Sequence, residues 1–287
     1  MAEPPLKKLK KDFDHFTAPL KVLVGDNGQE FYINEQLICS MSKLFEELCK
    51  KKDTPKKKAG EKGTERSRTF APPDEDPNIF ALFLVWLTNG NIDAAEDLVQ
   101  IRSSPLGGLR CEALKKLVKE MDLRFFQLVD CYYLGSDIQS EEFQNFVMDS
   151  IVDLVTERTS QTGSVPKGEI SALASSTKEI HEIYVKTWAD SPLRMFLHRY
   201  HLCEQVLMTP AYVQELIELG CHDYISDVIT ESARFYTRPV GASRPSSSQY
   251  CDFTCTRASQ MITIASRSRM GRVLMRKKKM KYEWRDS

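Results

Sequence analysis

The sequence predicts an α+β protein: a small sheet built on a hairpin, packed against a helical cluster and followed by a helical extension. Three observations carry this prediction. Apolar residues alternate on both sides of Asp26-Asn27-Gly28, the apolar period changes to about 3.6 immediately after Asn34, and capped amphipathic stripes then recur to about residue 236.

The hairpin comes first. Val22 and Val24 alternate with Lys21 and Leu23, Asn27-Gly28 suits the positive φ of a two-residue turn, and Phe31 to Ile33 supplies the return strand. Leu37, Ile38 and Met41 then share one helical edge. Ser42 is the N-cap of a second short helix, in which Leu44, Phe45 and Leu48 form a stripe while Lys43, Glu46 and Glu47 face water. So few residues cannot close a core, so further apolar helix must come from downstream.

The stretch from Cys49 to Thr69 has a lysine-rich part with Pro55, two glycines and no apolar period, which predicts a mobile loop before a short strand at Ser67 to Ala71. Asp76-Pro77 supplies an N-cap and a first-turn proline. The helix that follows carries Ile79, Phe80, Phe83, Leu84 and Leu87 to a stop at Asn89-Gly90. It is apolar on most sides, Val85 and Trp86 included, as a core helix or one that faces a partner subunit would be.

A helix is expected from Cys111 to Met121, and two more at Phe125 to Leu134 and Glu141 to Val155, the last with Ser140 as its cap. Thr156 to Ser175 is polar and reads as a linker. Beyond it, Ser176 and Glu179 make a capping box for a helix with the stripe Ile180, Ile183, Tyr184 and Trp188. Asp190-Ser191-Pro192 and Thr209-Pro210 start two more, and Tyr224, Ile225, Val228 and Ile229 mark a fourth. The resulting domain plan is a disordered basic N-terminus at 1–17, a first folded unit at 18–157 with a basic insertion at 50–68, a helical extension at 176–236, and a disordered basic tail at 237–287.

With 287 residues, 41% hydrophobic and 28% charged, the chain can bury one good-sized core and a smaller unit. Its longest apolar run, Ile79 to Leu87, is too short to cross a bilayer, and prolines and lysines stand where a signal peptide would need apolar residues. A cytosolic or nuclear protein without membrane attachment is expected, its eight cysteines reduced. The 40 basic and 40 acidic residues cancel, but unevenly. Basic blocks at Lys7, Lys8, Lys10 and Lys11, at Lys50 to Lys52 with Lys56 to Lys58, and at Arg276 to Lys279 with Lys281 flank a stretch from Phe125 to Thr156 that contains six acidic residues and no basic one. The first block resembles a single-cluster nuclear import signal; the plainer reading is a solvated charged tail. The lysine-rich insertion lacks interleaved aromatics for base stacking, so a solvated loop is preferred to a nucleic-acid contact.

Catalytic signatures are not evident. The sequence contains no G-x-S-x-G elbow, no H-E-x-x-H helix and no glycine-rich fingerprint after a strand, and Ala59 to Thr64 fails the spacing of a phosphate loop. Cys251 and Cys255, with Cys221-His222 upstream, are the nearest approach to a zinc set, but their spacing is irregular and reduced thiols are the better reading. His198 and His201 share a helical face without a third ligand. No catalytic residue, cofactor or metal is therefore assigned.

The order V-x-V-G, then F-x-I-x-x-x-L-I-C-x-x-S-x-x-F, then PPDEDPNIFALFLVWLTNGNI, then FFQLVDCYYLGSDIQSEEFQNFVMDSIVDLV, and finally Ser191-Pro192-Leu193-Arg194 resembles the BTB/POZ family, in the stand-alone form found in many fungal proteins. The resemblance rests on Val22, Val24, Phe31, Leu37, Ser42, Phe45, Phe80, Trp86 and Leu87. It implies a protein-interaction module that pairs through the hairpin and first helices with itself, as a homodimer, or with another protein, including as a substrate adaptor for a cullin ubiquitin ligase or as a nuclear scaffold. Two positions depart from the family: Asn34 replaces a usual histidine, and Leu20-Lys21 replaces a usual acidic residue. Asn91 to Asp97 also lacks the large-apolar, any, acidic triplet of cullin-binding members. The alternative reading is a chromatin or nucleic-acid-associated protein that binds phosphates through its basic tails. An enzyme built on the scattered cysteines and histidines has the least support.

Overall fold

A computed structural model describes residues 20–52, 69–70, 75–96, 98–101, 111–162, 173–204 and 208–236. Lys7, Lys8, Lys10 and Lys11, most of the basic insertion, Cys251, Cys255 and the tail lie outside the described residues. The fold is α+β and mostly helical. Its strands are β1 (Leu20–Val24), β2 (Gln29–Ile33) and β3 (Thr69–Phe70); its helices are α1 (Glu35–Met41), α2 (Lys43–Lys52), α3 (Pro77–Asn89), α4 (Cys111–Asp137), α5 (Glu141–Thr162), α6 (Thr177–Lys186), α7 (Pro192–Cys203), α8 (Pro210–Glu218) and α9 (His222–Tyr236). The described residues group into two compact units, 20–98 with 129–144 and 99–128 with 145–236.

In the first unit the sheet has the order β2-β1-β3. β1 and β2 are antiparallel, with Val22 opposite Phe31 and Leu20 opposite Ile33, and β3 lies parallel to β1. The alternation read from the sequence therefore sets the register: Val22 and Val24 are fully buried, while Tyr32 on the other face is 65% exposed. The turn differs from expectation. Val24 pairs with Gln29, so the loop holds four residues, Gly25 to Gly28, closed by Gly28 N donating to Gly25 O at 2.9 Å. The positive φ angles belong to Gly25 (76°) and Gly28 (62°), not to Asn27. Gly25 serves a second need, because a Cβ there would meet Pro77 Cγ at 3.0 Å and the Glu75 carbonyl oxygen at 3.2 Å.

α3 begins and ends as its sequence demands. Asp76 Oδ1 accepts from Asn78 N at 2.8 Å, Pro77 takes the first turn, and Gly90 adopts φ 74° as its N–H donates to Trp86 O at 2.7 Å. Phe80, Leu82 and Phe83 are fully buried. Phe31 meets Phe80 edge-on at 5.2 Å, and Phe143 closes the cluster 5.1 Å from Phe83 and 5.0 Å from Trp86.

Two helices are longer than the sequence reading placed them. The helices expected at Cys111 to Met121 and Phe125 to Leu134 are one, α4, because Leu117, Val118, Met121, Phe125, Leu128, Val129 and Tyr132 form one uninterrupted buried stripe across Asp122 to Arg124. α5 runs to Thr162, seven residues past Val155, into what reads as linker. Ser140 stands at its N-cap position, with its carbonyl accepting from Gln144 N at 3.1 Å, but its buried hydroxyl has no partner and makes no cap.

In the second unit the capping box of α6 forms as expected, Ser176 Oγ accepting from Glu179 N and Glu179 Oε2 from Ser176 N. Trp188 lies beyond the end of that helix and is 66% exposed, so it does not extend the buried stripe of Ile180, Ile183 and Tyr184. Arg158 of α5 is buried and joins three helices: its guanidinium lies 3.3 Å from Asp122 of α4 and donates to the Tyr200 hydroxyl of α7 at 3.3 Å. No helix among the described residues is long and apolar enough to cross a membrane.

Candidate protein-docking surface

The residues that carry the family resemblance fall into two groups once placed in space. Val22, Val24, Phe45 and Phe80 are at most 1% exposed, and Trp86 and Leu87 are also buried. They build the core of the first unit and are closed to any partner. Phe31 and Leu37 are only half-buried and lie at the border between core and surface.

Ser42 is the junction on which the two short helices turn. It separates α1 from α2 by a single residue and is 1% exposed. Its hydroxyl accepts from Phe45 N at 3.3 Å, as an N-cap should, and donates to Ile138 O at 2.5 Å in the α4–α5 turn. Lys43 N donates to Gln139 O at 3.4 Å beside it, and Lys43 Nζ lies 2.7 Å from Glu141 Oε1. One small polar side chain thus caps a helix and docks it. The sequence pattern gives the first role; the second needs the fold.

Around this core a partly apolar surface remains open. It comprises Leu23 and Tyr32 on the outer face of the hairpin, Leu37 and Met41 of α1, and Leu44 and Leu48 of α2, all half-buried except the exposed Tyr32. The hairpin face is framed by charge. Lys21 Nζ sits 2.6 Å from Glu30 Oε1, and the Tyr32 hydroxyl donates to Glu30 Oε2 at 2.8 Å. The hydrogen bond from Lys21, then that from Tyr32, hold the Glu30 carboxyl below its usual range, while the Glu30 carboxylate raises Lys21 and Tyr32. Glu30 and Tyr32 are exposed and Lys21 is half-buried, so the network orders the tyrosine ring more than it stabilises the fold. Tyr32 is the residue sequence reasoning overlooked; its signal is an aromatic ring at the water-facing position of an alternating strand.

The other singled-out residues are placed as follows. His201 is buried with both ring nitrogens engaged: Nε2–H donates to Leu173 O at 2.8 Å and Nδ1 accepts from the Tyr224 hydroxyl at 2.7 Å. This fixes a neutral tautomer, and burial lowers its pKa to about 4. His198 is buried beside it and also shifted down, chiefly by desolvation. Cys221 is buried with its sulfur 3.5 Å from His181 Nδ1, and the adjacent His222 points outward. Among the described residues no group of three His, Cys, Asp or Glu side chains is placed to hold a metal ion.

Ser191-Pro192-Leu193-Arg194 proves architectural. Arg194 is 5% exposed and closes the end of α6: Nη2 donates to the carbonyls of Tyr184 and Thr187, Nε donates to Thr187 Oγ1 at 3.0 Å, Nη1 reaches Asp223 Oδ2 at 3.4 Å, and Cζ lies 4.4 Å above the Tyr184 ring. Helix-end carbonyls have no partners of their own, and a planar guanidinium with five donors suits them. Neither a protein-family model, nor a curated protein, nor a solved structure matches this chain.

Proposed function

We propose that the chain is a nonenzymatic protein-interaction module of the BTB/POZ type, nuclear or nucleocytoplasmic, that takes a partner protein or a second copy of itself on the outer face of the hairpin and α1–α2. An adaptor for a cullin ubiquitin ligase and a nuclear scaffold are the two roles such a module would fill here. The observation that carries the reading is the division within the resemblance itself. Its apolar residues are nearly all spent on the core, while Leu23, Tyr32, Leu37 and Met41 remain accessible on the connected hairpin and first helix. An aromatic anchor within a half-apolar surface is the usual composition of a docking site.

Tyr32→Asp tests it, since a side chain this exposed can change without loss of the fold. The expected result is at least a tenfold loss of partner recovered from cells, or of dimer by light scattering, with an unchanged circular dichroism spectrum. Unaltered partners and unaltered mass would overturn the reading. The charge segregation of the chain favours the rival function, phosphate binding by the basic blocks, and a salt titration against duplex DNA separates the two. Tight binding that weakens steeply with salt and ignores Tyr32→Asp would select the rival.

A further inference from the structure

The sheet of the first unit has two ends. β3 forms one of them and spans only two residues, the kind of shortness that blunts an edge. β2 forms the other, and among the described residues no strand lies beyond it. Backbone groups point alternately to either side of a strand, so about half of the N–H and C=O groups of Gln29–Ile33 are directed away from β1. Edges of this length are otherwise blunted by lysine, proline, a bulge or bare charge. β2 holds no Lys and no Pro, its register with β1 runs unbroken over five pairs, and its one charge, Glu30, lies 2.6 Å from Lys21 Nζ.

We propose that β2 pairs antiparallel with β2 of a second copy of this chain, joining two three-stranded sheets into one of six strands. The pairing rests on the docking reading for its place on the hairpin and goes beyond it in naming the occupant and the contact. What commits the edge to a second copy is that its sequence complements itself about a twofold axis at Phe31. All five residues then pair: Phe31 with the partner's Phe31, Glu30 with the partner's Tyr32 and the reverse, Gln29 with the partner's Ile33 and the reverse. Moving the axis one residue towards the turn sets Glu30 against the partner's Glu30, two like charges directly opposite. Moving it one residue the other way sets Glu30 against the partner's Asn34, which lies outside the strand as the cap of α1. The axis at Phe31 also keeps the two faces matched. Phe31 is on the core side, opposite the fully buried Val22 and 5.2 Å from Phe80, yet it is itself only half-buried. A second phenylalanine beside it covers what the fold leaves open, while on the water side the 65% exposed Tyr32 gains the partner's carboxylate. Five paired residues make a small contact, so the dimer forms and parts with concentration.

The test follows the full-length chain by light scattering over a concentration series and reads hydrogen exchange at its two ends. Mass should rise towards twice that of one chain, and the amides of residues 29–33 should slow at high concentration. Tyr32→Asp sets two carboxylates against each other in both symmetric pairs and should weaken the dimer about tenfold. Adding Glu30→Lys to it sets an ammonium against each carboxylate and should restore most of that loss. Both side chains are exposed, circular dichroism checks that the variants fold, and the exchange pattern of the unmodified chain gives a readout that needs neither. A double variant that folds and regains nothing, or slowing confined to residues 35–52, would overturn the edge pairing and leave the docking reading intact. A chain that stays monomeric at every concentration overturns it too. If that monomer still recovers a partner from cells and loses it in Tyr32→Asp, the docking reading survives; if it does not, both fall.

Discussion

Arg194 and Ser42 show how much of this fold rests on single polar side chains at helix ends. Arg194→Met removes a buried cation, strands the carbonyls of Tyr184 and Thr187, and leaves Asp223 without its ion pair. A loss of about 3–5 kcal/mol is expected, read by urea denaturation, and Arg194→Lys should recover little because an ammonium cannot reach two carbonyls and a hydroxyl together. Ser42→Ala is the smaller change. It deletes the cap on Phe45 N and leaves Ile138 O without its donor, for an expected cost of about 1–2 kcal/mol. Ser42→Gly should cost nearly as much, because the hydroxyl is used twice; a negligible loss in both would show that the bond to Ile138 contributes nothing.

The elements were legible wherever a local rule governs them. The β1–β2 register followed from alternation, α3 from Asp76-Pro77 and Gly90, and α6 from the box at Ser176 and Glu179. What stayed hidden depends on contacts distant in sequence. The loop has four residues, and its Gly25 lies so close to Pro77 that a Cβ would not fit, neither of which Asn27-Gly28 can disclose. α4 is one helix because its buried stripe crosses three residues, two of them charged, that look like a break; Ser140 reads as a cap although its hydroxyl makes none. The candidate surface was legible only as a segment, since burial alone separates Val22 from Tyr32. Gly135 belongs to the same hidden class. A Cβ there would meet Gln144 Cγ at 2.7 Å and Phe143 Cδ1 at 3.3 Å. Gly135→Ala, which gains helix propensity, should nonetheless destabilise by about 1–3 kcal/mol in thermal unfolding, and a raised melting temperature would show that α4 and α5 separate freely at that point.

For the whole molecule, pH is the most informative variable. His201 has a folded pKa of about 4 against an ordinary 6.5, so the folded state refuses a proton that the unfolded chain accepts. Its contribution is complete above 6.5 and is lost as pH falls from 6.5 towards 4, about 3 kcal/mol in all. His198 acts in the same direction. Stability measured between pH 7.5 and 4.5 should therefore fall more steeply in the unaltered chain than in His201→Gln, which cannot titrate; equal slopes would place the acid sensitivity elsewhere. The closure of α6 by Arg194 has a further consequence at this scale. Since the last turn of α6 is completed by a residue from α7, neither helix has its full set of bonds until both are in place. The backbone amides of the two should then exchange with deuterated solvent at one shared rate, opening and closing as a single cooperative block.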